Sequence, residues 1–421
     1  MDKKRWLVVV GALLVQLCLG AIYAWGAFTK ALQDPAGPFA FSAMQAQAIF
    51  SAGLATFAIV MILAGRWQDK IGPRKVALAG GIVLGVGYLL AGLTGSHGFW
   101  PLFLLIGVVG GAGIGLGYVC PIAACVKWFP DLKGFVTGLA VAGFGAGAFI
   151  FVKLAGTWGN LIATRGVNGT FMIFGLIFIV CVTAGALLLS NPPAGWKPAG
   201  WMPKIAQTNQ GVAEDFSQGE CIRTKPFWLL WLAFVFSAGA GLMVIGCLKN
   251  FGEGECSLSS SVAGSALGLL ALFNGLGRIA WGTLSQKLGA RRSIAIMTAL
   301  QAIMLFALYR MGSHEIALTV AACWIGFNFG GNFSLFPLAA AESFGTKNLG
   351  ANYGALFTAY GVGGIVMPIL AGRVYDVLGS HFWAFVTAAI VCLLATALAI
   401  IVRPPHHAAA MGRVQASPAT A

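Results

Sequence analysis

Charged side chains are scarce in this chain, making up 9% of its 421 residues where soluble domains carry about a quarter. Acids are scarcest, 12 against 26 Lys and Arg, and histidine occurs only five times with no H-x-x-x-H pair. The 9 cysteines are scattered singly, without a C-x-x-C. Such a chain offers neither a metal-ligand set nor a nucleophile–base constellation, so an enzyme is not expected and neither is a metal or a cofactor. Most of the cysteines read as small buried hydrophobes. Only Cys247 and Cys256, flanking one loop, are placed to pair in an oxidising compartment. Long polar stretches are missing too, which excludes a large soluble domain. What is present is apolar: 58% hydrophobic residues and a mean hydropathy of +0.85, the composition of a protein whose partner is a lipid bilayer.

Apolar runs bounded by charge, Gly and Pro predict twelve spanning helices near 6–30, 44–66, 75–95, 99–128, 134–157, 169–190, 226–250, 260–285, 292–311, 315–341, 350–374 and 381–402. The N-terminal "MDKKRWLVVVGALLVQLCLG" mimics a secretory signal, but its apolar run is too long for one, and an uncleaved first helix is expected. A formal charge of +14 would point to nucleic acid in a soluble protein. Here it reports topology, because cytoplasmic loops collect Lys and Arg. With the N-terminus inside, 19 of the 26 basic residues fall on cytoplasmic segments, so both termini are expected in the cytoplasm of a multi-pass protein of the cell inner membrane. No nucleic-acid partner is expected, and a monomer is.

The longest polar stretch, 191–225, is rich in Pro and turn formers and divides the chain. The expected organisation is a six-helix bundle over 1–190, a cytoplasmic linker over 191–225, a second six-helix bundle over 226–402 and a cytoplasmic tail over 403–421. A repeat crosses the divide. "GRWQDKIGPRK" (65–75) and "GTLSQKLGARR" (282–292) each follow the second helix of their half, and both read G-x-x-x-[DQ]-K-x-G-x-R-[KR]. Repeated halves with a site between them near the midplane are the sequence signature of alternating-access transporters.

These loops resemble the motif of the major facilitator superfamily, which couples the turn after helix 2 to the opening and closing of the halves. Gly65, Asp69, Lys70, Gly72, Arg74 and Lys75 match it, whereas the second copy has Gln286 in place of the acid. Asp69 is expected to accept hydrogen bonds from helix N-terminal amides or to pair with a nearby base. Within that superfamily, "YVCPIAACVKWFPDLKGFVTGLAVAGFGAG" (118–147), "LFNGLGRIAWG" (272–282), "FGGNFSLFP" (329–337) and "FGTKNLGANYGALFTAYGVGG" (344–364) are similar to the monocarboxylate transporters and the oxalate:formate antiporters. The resemblance implies an all-α integral membrane fold of two pseudo-symmetric six-helix bundles.

Arg278 stands deep in the eighth span, at a cost of about 2.5–3.5 kcal/mol on insertion scales. Nine residues separate it from Lys287, or about 13 Å at 1.5 Å each, near the middle of a core about 30 Å thick. Such residues usually face a cavity or a partner. Ala271, Asn274, Arg278, Trp281 and Ser285 share one helix face by their 3–4 spacing. The twelve acids fall in loops or at helix ends, and Glu342 is the single one that reaches into a span. The favoured reading is therefore a site for a bound carboxylate, which a guanidinium grips with a bidentate fork that cannot deprotonate.

The resemblance adds the remaining candidates. Relatives that carry the dianion oxalate pair this arginine with a lysine where this chain has Tyr360, so one positive charge is expected to select one carboxylate. Aromatics enclose the anion in the antiporters, and the matching positions are Tyr23, Tyr118, Phe144, Phe329 and Phe333. Asn332 and Asn328, one turn apart, are candidates for the site or for polar contacts between helices. Animal relatives carry an aspartate where this chain has Asn274, so proton coupling is implied by the family while its usual carrier is missing. The expected function is secondary active transport of a small monocarboxylate such as L-lactate or pyruvate, in symport with a proton. The alternatives are an oxalate/formate-type anion exchanger and, outside the carriers, a passive anion channel.

Overall fold

The computed structural model describes residues 2–95, 98–156, 158–193, 195–198, 214–312 and 314–405. Most of the expected tail, with His406, His407 and Arg413, lies outside the described residues, as do His97 and the stretch 199–213 of the expected linker. All regular structure among the described residues is helical. Twelve helices there are long and apolar enough to cross a membrane: α1 (Lys4–Gln33), α2 (Met44–Ile71), α3 (Pro73–Leu93), α4 (Phe99–Trp128), α5 (Lys133–Ala155), α6 (Leu161–Leu188), α7 (Lys225–Leu248), α8 (Ser261–Leu288), α9 (Ala290–Met311), α10 (Glu315–Phe344), α11 (Leu349–Tyr375) and α12 (Phe382–Ile401).

Each helix matches an expected span, with displaced ends. α2 and α8 run on through their charged motif residues to Ile71 and Leu288, because a helix whose end reaches water can keep its charges and its hydrogen-bonding register together. α6 begins at Leu161 rather than near 169, but Gly166 interrupts it with φ 68° and ψ 178°, a conformation open to glycine. α1 is not uniform either. It tightens into a 3₁₀ stretch at Gly20–Trp25, where a Cβ on Gly20 would lie 1.8 Å from the Phe144 carbonyl oxygen of α5.

The chain divides into two compact units, Met1–Trp196 and Lys197–Ala421, and the same pairing of helices recurs in each. In the first, α1 packs on α5 and α6, α2 on α4, and α3 on α6. In the second, α7 packs on α11 and α12, α8 on α10, and α9 on α12. Side chains such as Ile59, Leu63, Leu176, Val180, Ile365, Ile369 and Ile400 are large, apolar and exposed along the spans, the surface a protein offers to lipid. Pro121, Pro337 and Pro368 all lie inside helices.

The repeated motif makes the same turn twice. Gly72 (φ 91°, ψ 157°) separates α2 from α3, and Gly289 (φ 81°, ψ 153°) separates α8 from α9. Positive φ at both sites is what demands glycine there. The surrounding charges differ. Asp69 accepts from Lys127 Nζ of α4 at 3.3 Å and from Gln68 Nε2 at 2.5 Å, and Arg74 Nε donates to the Leu189 carbonyl at 3.3 Å. In the second unit, where Gln286 replaces the acid, Glu342 near the end of α10 accepts from the Ala290 amide at 3.0 and 3.1 Å. That places a carboxylate on the N-terminus of α9, the positive end of the helix dipole. Cys247 and Cys256 are both free thiols.

Candidate functional site

Arg278 is 1% exposed in α8. One turn earlier, Asn274 accepts from its Nε at 2.9 Å, and the guanidinium carbon lies 4.3 Å from the centroid of the Phe333 ring on α10. The amide fixes one edge of the fork and the ring supports its face, a cation–π contact in a water-poor setting. Phe333 in turn meets Phe329 at 5.4 Å and Tyr360 of α11 at 5.3 Å, and Tyr360 lies 5.2 Å from Phe357. The second unit therefore brings Arg278, Asn274, Phe329, Phe333 and Tyr360 into one connected group. Of the face expected on α8, Trp281 and Ser285 are buried with Arg278, while Ala271 is exposed.

Close approach of two helices sets this geometry. A Cβ on Gly277 would lie 1.9 Å from the Phe327 carbonyl oxygen, and one on Gly330 would lie 2.0 Å from that of Asn274. α8 and α10 thus touch backbone to backbone, as small residues permit between membrane helices. The two candidate asparagines of α10 are engaged between helices. Asn328 accepts from Trp281 Nε1 at 3.2 Å and donates to Gln301 Oε1 at 3.1 Å. Asn332 accepts from Ser237 Oγ at 2.6 Å and donates to the Phe329 carbonyl at 3.0 Å. Its amide oxygen and nitrogen are both in use, so Asn332 reads as a strut of the group more than as a contact for an anion.

The first unit gathers the other aromatics. Tyr118 lies 5.2 Å from Phe144, Tyr23 lies 5.6 Å from Phe144, and Phe57 closes the cluster at 5.1 Å from Tyr118. Tyr23 stands on the 3₁₀ stretch of α1. Two members of this surrounding were missed in the sequence. Phe57 is one apolar residue among many in α2 and gives no signal. Gln16 does: it is a lone amide inside "LLVQLCL", fully buried, and its Nε2 donates to the Tyr118 carbonyl at 3.1 Å. Its Oε1 is buried with no hydrogen-bond partner.

Comparisons with known proteins agree with this architecture. The family model of the Major Facilitator Superfamily matches residues 5–248 and 240–418. An uncharacterised MFS-type transporter of Escherichia coli (strain K12), YhjX, is 32% identical, over 86% of this chain and 87% of its own length. The oxalate:formate antiporter of Oxalobacter formigenes is 28% identical over 95% and 92%, and mammalian monocarboxylate transporters are relatives as well. Among solved structures, the transporter FucP in its outward conformation shares the fold with a TM-score of 0.67 at 19% identity, covering 95% of this chain and 100% of that one. The twelve apolar helices, the twice-made glycine turn and the matching family model lead to one statement: this chain is a multi-pass membrane transporter belonging to the Major Facilitator Superfamily, with relatives among the oxalate:formate antiporters and monocarboxylate transporters.

Proposed function

We propose that this transporter carries small monocarboxylates such as L-lactate or pyruvate by alternating access, with Arg278 gripping the carboxylate. The observation that carries the reading is a permanent cation buried in the interior of α8, its Nε bonded to the Asn274 amide oxygen and its face resting on the Phe333 ring. These two contacts orient a planar fork whose geometry suits a carboxylate. Phe329, Phe333 and Tyr360 supply ring faces and a hydroxyl beside it, suited to a short aliphatic acid. Tyr118, Tyr23 and Phe144 are proposed as substrate-binding residues too, and the turn residues Gly65, Asp69, Lys70, Gly72 and Arg74 to act in the conformational change. The setting proposed is the cell inner membrane, with both termini cytoplasmic and a monomer as the working unit.

Proton symport is the favoured coupling. Exchange of anions is the second reading, favoured by a specific observation: Arg278 Nε is bonded to the amide of Asn274, which cannot carry a proton as a carboxylate does.

Uptake competition across a panel of short mono- and dicarboxylates in proteoliposomes tests the assignment. Arg278→Lys should lose most transport, because a point charge replaces a planar fork, and Tyr360→Lys should gain recognition of dicarboxylates. An active Arg278→Ala variant would sink the model.

A further inference from the structure

A second ionisable cluster lies at the far end of α7, used neither by Arg278 nor by the repeated turn. Beyond α7 the chain widens into a π turn, Phe251–Glu255. Glu255 Oε2 accepts from Ser380 Oγ at 2.8 Å and Oε1 from the His381 amide at 2.8 Å. His381 Nδ1 also meets Oε1 in a short contact. Three donors from the turn between α11 and α12 therefore converge on one carboxylate. The His381 ring is 5% exposed and lies 4.3 Å from Tyr375, 6.0 Å from Phe251 and 6.2 Å from Phe385. Burial pushes the Glu255 carboxyl up, but the hydrogen bonds from the His381 amide, Ser380 and the imidazole outweigh it and hold the group below its ordinary value. The elements packed around the pair carry these further titratable or charged groups: Tyr375 from α11, Tyr309 and Arg310 from the end of α9, Cys247 from α7, Glu253 from the turn itself and Cys256 just after it. α12 presents Phe385.

We infer that Glu255, Ser380 and His381 form a proton-sensitive clasp tying the end of α7 to the α11–α12 turn, tighter when His381 is protonated. Imidazole is the side chain whose charge changes between pH 5 and 8. Glu255 stays ionised across that range, since a carboxyl held low contributes its stability above the ordinary carboxylate range and loses it only as pH falls through the lowered value. Protonation of the imidazole turns the bond from a neutral N–H donor into a charge-assisted ion pair. α7 bears Ser237, which bonds Asn332, and α11 bears Tyr360. The clasp thus joins the ends of two helices that contribute to the Arg278 group.

Amide hydrogen exchange on the full chain in lipid nanodiscs, corrected for intrinsic rates, reads the clasp directly, because the His381 N–H is one of its bonds. No transported substrate is needed, so the test is independent of the monocarboxylate reading. Protection of the Ser380–His381 amides in the wild type should be roughly three- to tenfold higher at pH 6 than at pH 8, the difference between a charge-assisted and a neutral bond. His381→Gln keeps a neutral donor and should hold the pH 8 level at both pH values. Ser380→Ala should lower protection at both while keeping the ratio between them. A wild-type ratio near one, or a His381→Gln variant that retains the ratio, overturns the clasp. So does a His381→Gln variant unprotected at both pH values, which would mean that ring packing, and not charge, holds the turn.

Discussion

Arg278 owes its position to a trade between two costs. Burial removes the water that would solvate a guanidinium, and the Asn274 oxygen at 2.9 Å with the Phe333 ring at 4.3 Å restores part of that solvation. A hydrogen bond to a charged group contributes about 1.5–3 kcal/mol. Asn274→Ala is therefore expected to let the fork swing and to raise the KM for uptake roughly tenfold or more. Asn274→Asp is the more telling change. It sets a titratable carboxylate one turn from the guanidinium, so anion affinity should fall at neutral pH and recover as the medium is acidified. Uptake measured over a pH series checks this, and an unaltered KM in both variants would remove Asn274 from the site.

At the scale of the element, the site depends on how closely α8 and α10 approach. Gly330 faces the Asn274 carbonyl, where a Cβ would sit 2.0 Å away, whereas Gly275 on α8 has nothing within 4 Å of its Cβ position. Gly330→Ala must separate the helices, and overpacking of this kind costs about 1–3 kcal/mol. Thermal unfolding in detergent should show a clear fall for Gly330→Ala and little change for Gly275→Ala; equal effects would mean that the contact is not tight. Helix existence was legible in the apolar runs, since length and hydropathy alone decide whether a segment can cross a bilayer. The 3₁₀ stretch of α1 and the break at Gly166 were not, because an apolar composition is equally compatible with a tight, a regular or an interrupted helix.

At the scale of the whole molecule, the two units repeat one plan with different charges. The turn glycines Gly72 and Gly289 are alike in φ and ψ, but the carboxylate lies on α2 in the first unit, paired to Lys127, and on α10 in the second, against the start of α9. This asymmetry was half visible, as Gln286 in the second copy of the motif, while the compensating role of Glu342 was not. The coupling of transport is also a property of the whole molecule. Radiolabelled lactate uptake at clamped membrane potential should be stimulated by an inward proton gradient. Uptake indifferent to the gradient but stimulated by internal anion would replace symport with exchange.

By itself the sequence determined the class of molecule. A chain with 9% charged residues and a mean hydropathy of +0.85 has no stable course through water, and its apolar runs, repeated motif and buried arginine follow from composition and spacing alone. The tertiary structure alone decided which candidates touch. Phe333 is the ring under the guanidinium, Asn332 is committed to Ser237, and Gln16 and Phe57 accompany Tyr118. The reason is physical. Crossing a membrane is a property of each helix separately, whereas a site is made where helices meet, and that meeting is set by glycines whose missing side chains show no partner in a sequence.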